Sequence, residues 1–214
     1  METHKLYLRY TIKMVRLQYI HAFRRSMDTF KEMMTDRGCK DPILSSGYEE
    51  WIDSMIKDTL TDQPKFFHRV FSKYKDDSTD IHVMVSMVRK PKLAQLRNEM
   101  KNNIKCRQLI VLSLFPMSNN NEKYLSPAVH PTMKIQLFYC HNLQVNITKH
   151  SFVPKHSLVS MDDIEEMGMS HEEFPLLSRK DPIVLYYDFP IGSVISIERN
   201  IPMIGNATYY RWIR

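Results

Sequence analysis

The feature that most restricts the fold is a short apolar run from Leu109 to Leu114, interrupted only by Ser113. A strand that is apolar on both faces needs a layer of other elements on each side of its sheet. Apolar residues spaced by three, four or seven between Ile12 and Met33 predict a long helix that ends near Gly38 and can supply such a layer. The run therefore predicts an α/β protein with a central, doubly covered strand.

The flanking segments predict further elements of both kinds. Ser46 and Glu49 resemble the capping box of a second helix, and alternation from Phe67 to Met87 around a polar turn predicts a hairpin with one buried face. A short helix follows Pro91. Composition and spacing also predict a loop over residues 118–122, a helix over 131–139 and a strand over 145–148.

Beyond residue 150 the predicted elements are short. Ser160 with two following aspartates predicts a helix start, and Asp181 with Pro182 predicts a break in the chain. Apolar segments predict strands over residues 183–187, 194–198 and 208–213. Together these segments predict a second, smaller unit with a mixed arrangement of helices and strands.

Composition excludes several classes of protein. No run approaches 18 apolar residues, so neither a membrane span nor a membrane partner is expected. The three widely spaced cysteines, Cys39, Cys106 and Cys140, favour reduced thiols over a disulfide framework or a metal site. No glycine-rich phosphate loop or nucleophile elbow is present, so we expect no catalytic residue, no cofactor and no small-molecule substrate.

Charge is distributed unevenly along the chain. Residues 1–150 carry 24 Lys and Arg against 15 Asp and Glu, whereas residues 151–214 carry 6 against 9. Residues 89–134 alone hold nine cations and two anions. Such a block attracts phosphate, although a solvated basic face that binds nothing in particular would have the same composition.

The C-terminal third carries a recognisable series of motifs. The segment 145–156 contains Asn-Ile-Thr-x-His followed by Val-Pro-x-His, with the matching residues Asn146, Thr148, His150, Val153, Pro154 and His156. Further matches follow in order at Asp181, Pro182, Gly192, Arg199, Gly205, Tyr210 and Arg211. In these motifs the chain resembles the shared RNA polymerase subunit five of eukaryotes and its archaeal counterpart, which lacks the N-terminal module.

The resemblance implies a two-module, non-catalytic subunit of a DNA-directed RNA polymerase that works in the nucleus. It implies an N-terminal jaw module over residues 1–142, made of helices and a mixed sheet and nuclease-like in shape, that lies beside downstream duplex DNA. A mixed α+β assembly module over residues 143–214 would dock on the largest subunit among the other core subunits. The active site would lie in another subunit.

The resemblance also implies two sets of site residues. The DNA contacts would be sequence-independent and would come from Met117, Ser118, Asn119, Asn120 and Lys123. The residues that define the assembly module or meet the largest subunit would be Pro154, His156, Asp181, Pro182, Arg199, Gly205, Tyr210 and Arg211.

The chain departs from the family pattern at three places, one of which is the helix before Asp181, shorter here by roughly one turn. Lys180 stands where the family has glycine before Asp-Pro, and the segment 200–204 replaces the family's Pro-Ser-Glu-Thr-Ala. These departures indicate a diverged member, dedicated to one polymerase class or to a viral or parasite enzyme. Dedication to polymerase I would place it in the nucleolus, and a viral origin would place it in a cytoplasmic virus factory.

The alternative from another class is a stand-alone DNA-binding or nuclease-like factor. Glu99 and Lys101 form the Glu-x-Lys half of a magnesium-nuclease motif, with Asp80 as a conceivable upstream acid. That chemistry needs the pair on a strand that faces a metal ion. Because residues two apart on a helix point to different faces, the helix predicted after Pro91 disfavours this alternative.

Overall fold

The computed structural model describes residues 2–39, 47–59, 65–71, 80–201 and 205–214, with side chains from residue 19 in the first helix and up to residue 57 in the second. The chain forms two compact units, Met1–Val145 and Asn146–Arg214. Ser46, most of the polar turn before Ile81, and residues 202–204 lie outside the described residues. Within the described part, no helix is long and apolar enough to cross a membrane.

The N-terminal unit contains a four-stranded mixed sheet in the order β1-β2-β3-β4. The strands are β1 (Phe66–Phe71), β2 (Ile81–Ser86), β3 (Gln108–Ser113) and β4 (Lys134–Tyr139). β1 pairs antiparallel with β2, and β2, β3 and β4 run parallel to one another. The mixed α/β class expected from the sequence is therefore confirmed.

Helices cover both faces of this sheet. The helices are α1 (Glu2–Asp36), α2 (Tyr48–Thr59), α3 (Leu93–Asn103) and α4 (Asn119–Tyr124). Phe30 of α1 meets Phe71 of β1 edge to face, with ring centroids 6.2 Å apart. On the opposite face, Leu96 and Met100 of α3 pack with Met84 in one buried cluster. The buried run at β3 is thus a central strand, as the sequence predicts.

The predicted hairpin is present, but its second strand is buried on both faces. All six residues of β2 are buried, because β2 lies inside the sheet between β1 and β3. Alternating side chains on such a strand meet α1 on one face and α3 on the other. The expectation of one buried face was therefore wrong.

An arginine inside an aromatic cage joins α2 to β1. The Arg69 guanidinium lies 5.8 Å from the Tyr48 ring centroid, 5.4 Å from that of Trp51 and 5.8 Å from that of Phe71. It also donates to the Gly47 carbonyl at 3.0 Å. The quadrupoles of the three rings stabilise this half-buried cation, which fixes α2 on the sheet.

Besides residues 118–122, which are described with the candidate site, three short segments differ from their predicted structure. Residues 131–139 were predicted helical, but 134–139 form β4, in which Ile135, Leu137 and Tyr139 pack toward the α3 cluster. Residues 145–148 were predicted as a strand, but Asn146 caps a 3₁₀ turn and accepts from the Thr148 N–H at 3.0 Å. Over so few residues, periods of 2 and 3.6 are difficult to distinguish.

The third difference concerns residues 183–187, which were predicted as a strand and form helix α6 (Pro182–Tyr187). The Asp181 carboxylate accepts from the N–H groups of Ile183 at 2.8 Å and Val184 at 3.4 Å. Proline at the first helical position needs no N–H partner, so Asp-Pro here starts a helix.

The C-terminal unit is built on a second four-stranded mixed sheet in the order β5-β7-β8-β6. Its strands are β5 (Lys155–Leu158), β6 (Leu176–Leu177), β7 (Val194–Ile201) and β8 (Gly205–Ile213). On one face, Val184 of α6 packs on Ile195, Ile197 and Ile213. On the other face, Ile164 of α5 (Met161–Glu166) packs with Phe174 and Val194. Ser160 caps α5, which confirms the predicted helix start.

Candidate functional site

The first candidate surface lies where the parallel strands of the N-terminal sheet end. β2 and β3 are parallel, so the segments that follow Ser86 and Ser113 emerge at the same edge. A backbone bond from the Leu114 N–H to the Ser86 carbonyl, 3.0 Å long, joins the two segments directly. The exposed polar residues of these segments include one acid, Glu122, and seven others that we call the basic edge: Arg89, Lys90, Lys92, Ser118, Asn119, Asn120 and Lys123.

Residues 118–122, expected as a loop, instead begin a short helix. Ser118 is the N-cap of α4, and its hydroxyl oxygen accepts from the Asn121 N–H at 3.4 Å. Asn121 is buried, and its side-chain amide donates to the Pro91 carbonyl at 2.8 Å. This bond holds α4 against the segment that carries Arg89, Lys90 and Lys92.

The structure separates the five residues predicted to contact DNA. Ser118, Asn119, Asn120 and Lys123 are exposed on or beside α4. Met117, by contrast, is buried in the α3 cluster and only 7% exposed, so its side chain is part of the core and lies off the surface. Methionine is apolar, and its burial there supports α4 from below.

A tyrosine and a glutamate fix α4 at its other side. The Tyr139 hydroxyl, at the end of β4, donates to the Glu122 carboxylate. Burial, together with this bond, raises the pKa of Tyr139 to about 12. The phenol therefore stays protonated at neutral pH and keeps donating to the acid of α4.

Arg89, Lys90 and Lys92 belong to the basic block in the sequence, but sequence reasoning did not single them out. They follow a buried strand, and their relation to Lys123 depends on β2 and β3 being parallel. The signal was the helix predicted between the two strands, because a strand-helix-strand unit gives parallel neighbours.

The glutamate of the nuclease alternative is engaged in a hydrogen-bonded chain. Glu99 lies on α3, as predicted, where its carboxylate is 3.0 Å from His68 Nε2 and accepts from the Asn103 amide at 2.8 Å. The other ring nitrogen of His68 is 3.0 Å from Nε2 of His82. Among the described residues, no three His, Cys, Asp or Glu side chains form a group that could hold a metal ion.

The hydrogen-bonded side chains Glu99, His68 and His82 predict that the stability of the N-terminal unit is sensitive to acid. His82 is 4% exposed, and burial together with the neighbouring His68 lowers its pKa below the ordinary 6.5. Folding therefore favours the neutral form of the His82 ring. Its contribution to the free energy of unfolding is complete above the ordinary pKa of about 6.5, and it is lost as pH falls through the lower pKa of the folded state.

We expect the free energy of unfolding to fall between pH 7.5 and pH 5.5, measured by urea titration of Trp51 fluorescence in a Trp212→Phe background. His82→Gln should flatten the pH dependence, whereas His21→Gln, at an exposed site on α1, should preserve it. An unchanged pH dependence in His82→Gln would contradict this assignment.

The second candidate surface lies in the C-terminal unit, where several motif residues define the fold itself. Asp181 and Pro182 start α6, and His156 Nδ1 donates to the Pro154 carbonyl at 2.7 Å. Gly205 begins β8 with a φ of +88°, which a residue with a side chain rarely adopts. Tyr210 packs against Phe174, with ring centroids 6.0 Å apart.

Two further motif residues, Arg199 and Arg211, share one face of the second sheet with His156 and with Tyr209, a neighbour of the motif residue Tyr210. His156 is opposite Ile197, and Ile197 is opposite Tyr209, so these side chains form a row across three strands. Arg199 and Arg211 lie on the same face by strand alternation, and the Arg199 guanidinium is 5.7 Å from the Tyr209 ring centroid. We call His156, Arg199, Tyr209 and Arg211 the arginine-tyrosine face.

Comparison with known proteins matches the motifs of this unit to RNA polymerase subunits. Residues 145–213 match the family described as RNA polymerase Rpb5, C-terminal domain. The chain is 33% identical over 75 residues to DNA-directed RNA polymerase subunit Rpo5 of Thermoplasma volcanium. The aligned region covers 31% of this chain and 86% of that protein. It is 32% identical over 74 residues to the Rpo5 subunit of Nitrosopumilus maritimus, which is 33% of this chain and 89% of that subunit.

A plant relative matches over a smaller share of its length. DNA-directed RNA polymerases IV and V subunit 5B of Arabidopsis thaliana is 30% identical over 86 residues, which is 38% of this chain and 39% of that protein. The chain belongs to the RNA polymerase subunit family of Rpo5 and Rpb5. This result confirms the family resemblance drawn from the motifs.

Proposed function

We propose that this chain is a non-catalytic subunit that docks on the largest subunit of a multisubunit RNA polymerase and lies beside downstream duplex DNA. Its partners are then the polymerase core and DNA, its place of work is the nucleus, and nucleotidyl transfer occurs in another subunit. Membership of the Rpo5 and Rpb5 family is the observation that carries the polymerase role.

The arginine-tyrosine face is the proposed docking surface. Tyrosine and arginine are enriched among the residues that contribute most of the binding energy at protein interfaces. Tyr209 is 43% exposed beside Arg199, so this face offers both groups to a partner. Burial there would pair the two arginines with carboxylates or carbonyls of the largest subunit.

The basic edge is the proposed DNA contact of the N-terminal jaw. Four exposed cations, Arg89, Lys90, Lys92 and Lys123, come from two chain segments that the Asn121–Pro91 bond holds together. Asn119 and Asn120 add exposed amides that can donate to phosphate oxygens. Contacts of this kind follow the backbone of DNA and read no base sequence.

A polymerase that carries four substitutions in the basic edge tests the DNA contact: Arg89→Gln, Lys90→Gln, Lys92→Gln and Lys123→Gln. Each phosphate neutralised contributes about 0.9 to the slope of log affinity against log salt. We therefore expect the magnitude of this slope for binding a downstream duplex to fall by about 3.6. Fluorescence anisotropy of a labelled duplex between 50 and 200 mM salt measures it.

The matched control removes the same number of charges from the opposite edge of the same sheet. Lys101, Lys105, Arg107 and Lys134 are exposed near the amino ends of β3 and β4. Their replacement by glutamine should leave the salt slope unchanged. Equal effects of the two quadruple variants, or no effect of the first, would contradict a DNA contact at the basic edge.

A further inference from the structure

The C-terminal unit has a groove on the sheet face opposite the arginine-tyrosine face. Ser196 and Tyr210 form its floor, and Leu158, Asp163, Glu166 and Met167 belong to its walls. Its volume is about 420 Å³. Ser196 and Tyr210 are register partners in β7 and β8, so the floor is the sheet itself. The groove is therefore a separate surface from the proposed docking face.

The segment around this groove is strongly acidic. Between residues 156 and 178 the chain has six acidic side chains and no lysine or arginine: Asp162, Asp163, Glu165, Glu166, Glu172 and Glu173. Asp163 and Glu166 of α5 are exposed at the groove. A local field of one sign favours a partner segment of the opposite sign.

The same segment exposes methionines, which is unusual for a surface. Met161, Met167 and Met169 are 58%, 36% and 39% exposed, and Leu158 beside them is 50% exposed. α5 already buries Ile164 against Phe174 and Val194, so these residues are not needed for the core of the unit. Flexible, polarizable methionine side chains suit surfaces that bind apolar side chains of a partner.

We propose that this groove binds a basic amphipathic segment of another polypeptide of the assembled polymerase, an inference that rests on the proposed function. The lysines or arginines of that segment pair with Asp163 and Glu166. Its apolar side chains pack on Met167 and Leu158, as an amphipathic helix does in a hydrophobic groove. The unit thereby holds two polypeptide segments, one on each face of its sheet.

Photocrosslinking in the intact polymerase tests this proposal. A benzoylphenylalanine at Met167 should crosslink to one peptide of another subunit that combines lysine or arginine with apolar residues, identified by mass spectrometry. Adding Glu166→Lys should lower the crosslink yield about fivefold or more, because a favourable charge pair becomes repulsive. Glu172→Lys makes the same charge change outside the groove lining, so it weakens only the local field and should lower the yield much less than Glu166→Lys does.

Failure of this proposal is distinguishable from failure of the proposed function. A chain that copurifies with polymerase but gives no crosslink, or crosslinks to a segment without cations, overturns the groove assignment alone. Equal yields for Glu166→Lys and Glu172→Lys do the same. A benzoylphenylalanine at Ile191, which is 64% exposed and outside the groove lining, should not capture the same peptide. A chain that does not copurify with polymerase at all overturns the proposed function and, with it, this inference.

Discussion

Ile195→Ala is expected to unfold much of the C-terminal unit and to remove the chain from its polymerase. Ile195 is completely buried in β7, between α6 and the sheet, where it packs with Val184 and Ile213. Truncating the isoleucine side chain to alanine costs about 2–5 kcal/mol of unfolding free energy, because buried apolar area is lost and a cavity is left behind. A unit of roughly 70 residues has about 3–10 kcal/mol of stability, so this loss is a large fraction of the total.

Trp212 fluorescence in a Trp51→Phe background reports unfolding of this unit during a urea titration. The matched control is Ile191→Ala, since Ile191 is 64% exposed and its truncation should change the unfolding free energy by less than about 0.5 kcal/mol. Recovery with polymerase should fall for Ile195→Ala and persist for Ile191→Ala. Full recovery of an unfolded Ile195→Ala variant would show that the assembly unit is not what docks.

Phe30→Ala is expected to lower the stability of the N-terminal unit by about 3–5 kcal/mol. Phe30 is fully buried on α1, and its ring meets Phe71 of β1 edge to face. The substitution leaves a cavity between α1 and the sheet and removes an aromatic pair. Trp51 fluorescence in the Trp212→Phe background measures the loss.

Tyr19→Ala is the control on the same helix, because Tyr19 is 41% exposed and its truncation should cost far less. We also expect Phe30→Ala to copurify with polymerase as well as the wild type does. The family match covers residues 145–213, which lie in the C-terminal unit apart from Val145, whereas Phe30 lies in the N-terminal unit. Similar destabilisation by Phe30→Ala and Tyr19→Ala would contradict the core assignment.

Long or strongly patterned elements could be predicted from the sequence. α1 has apolar residues at helical spacing, β3 is a short run that is apolar on both faces, and the cap at Ser160 marks the start of α5. Short elements could not be predicted as well. Four or five apolar residues before a turn fit a helix or a strand equally, which is why β4 and α6 were each assigned the other structure. Ser118 caps a helix in a segment so polar that its composition resembles a loop.

The candidate surfaces could be predicted only in part, because the sequence shows which residues are charged but not which of them lie next to one another in the fold. Nine cations between residues 89 and 134 indicate a phosphate-binding surface, yet parallel pairing of β2 with β3 decides which cations meet at one edge. The family resemblance assigned Met117 to the DNA contact, but its apolar side chain packs inward. The groove at Met167 depends on which sheet face α5 covers, which no motif revealed.

Affinity purification of the tagged chain from its own cells, followed by mass spectrometry at moderate salt, tests the central claim most directly. We expect the largest subunit of an RNA polymerase in stoichiometric amount, together with other core subunits. Recovery of one type of largest subunit would support dedication to a single polymerase class, and several types would show a shared subunit. Recovery of the chain without any polymerase subunit would contradict its proposed role in transcription.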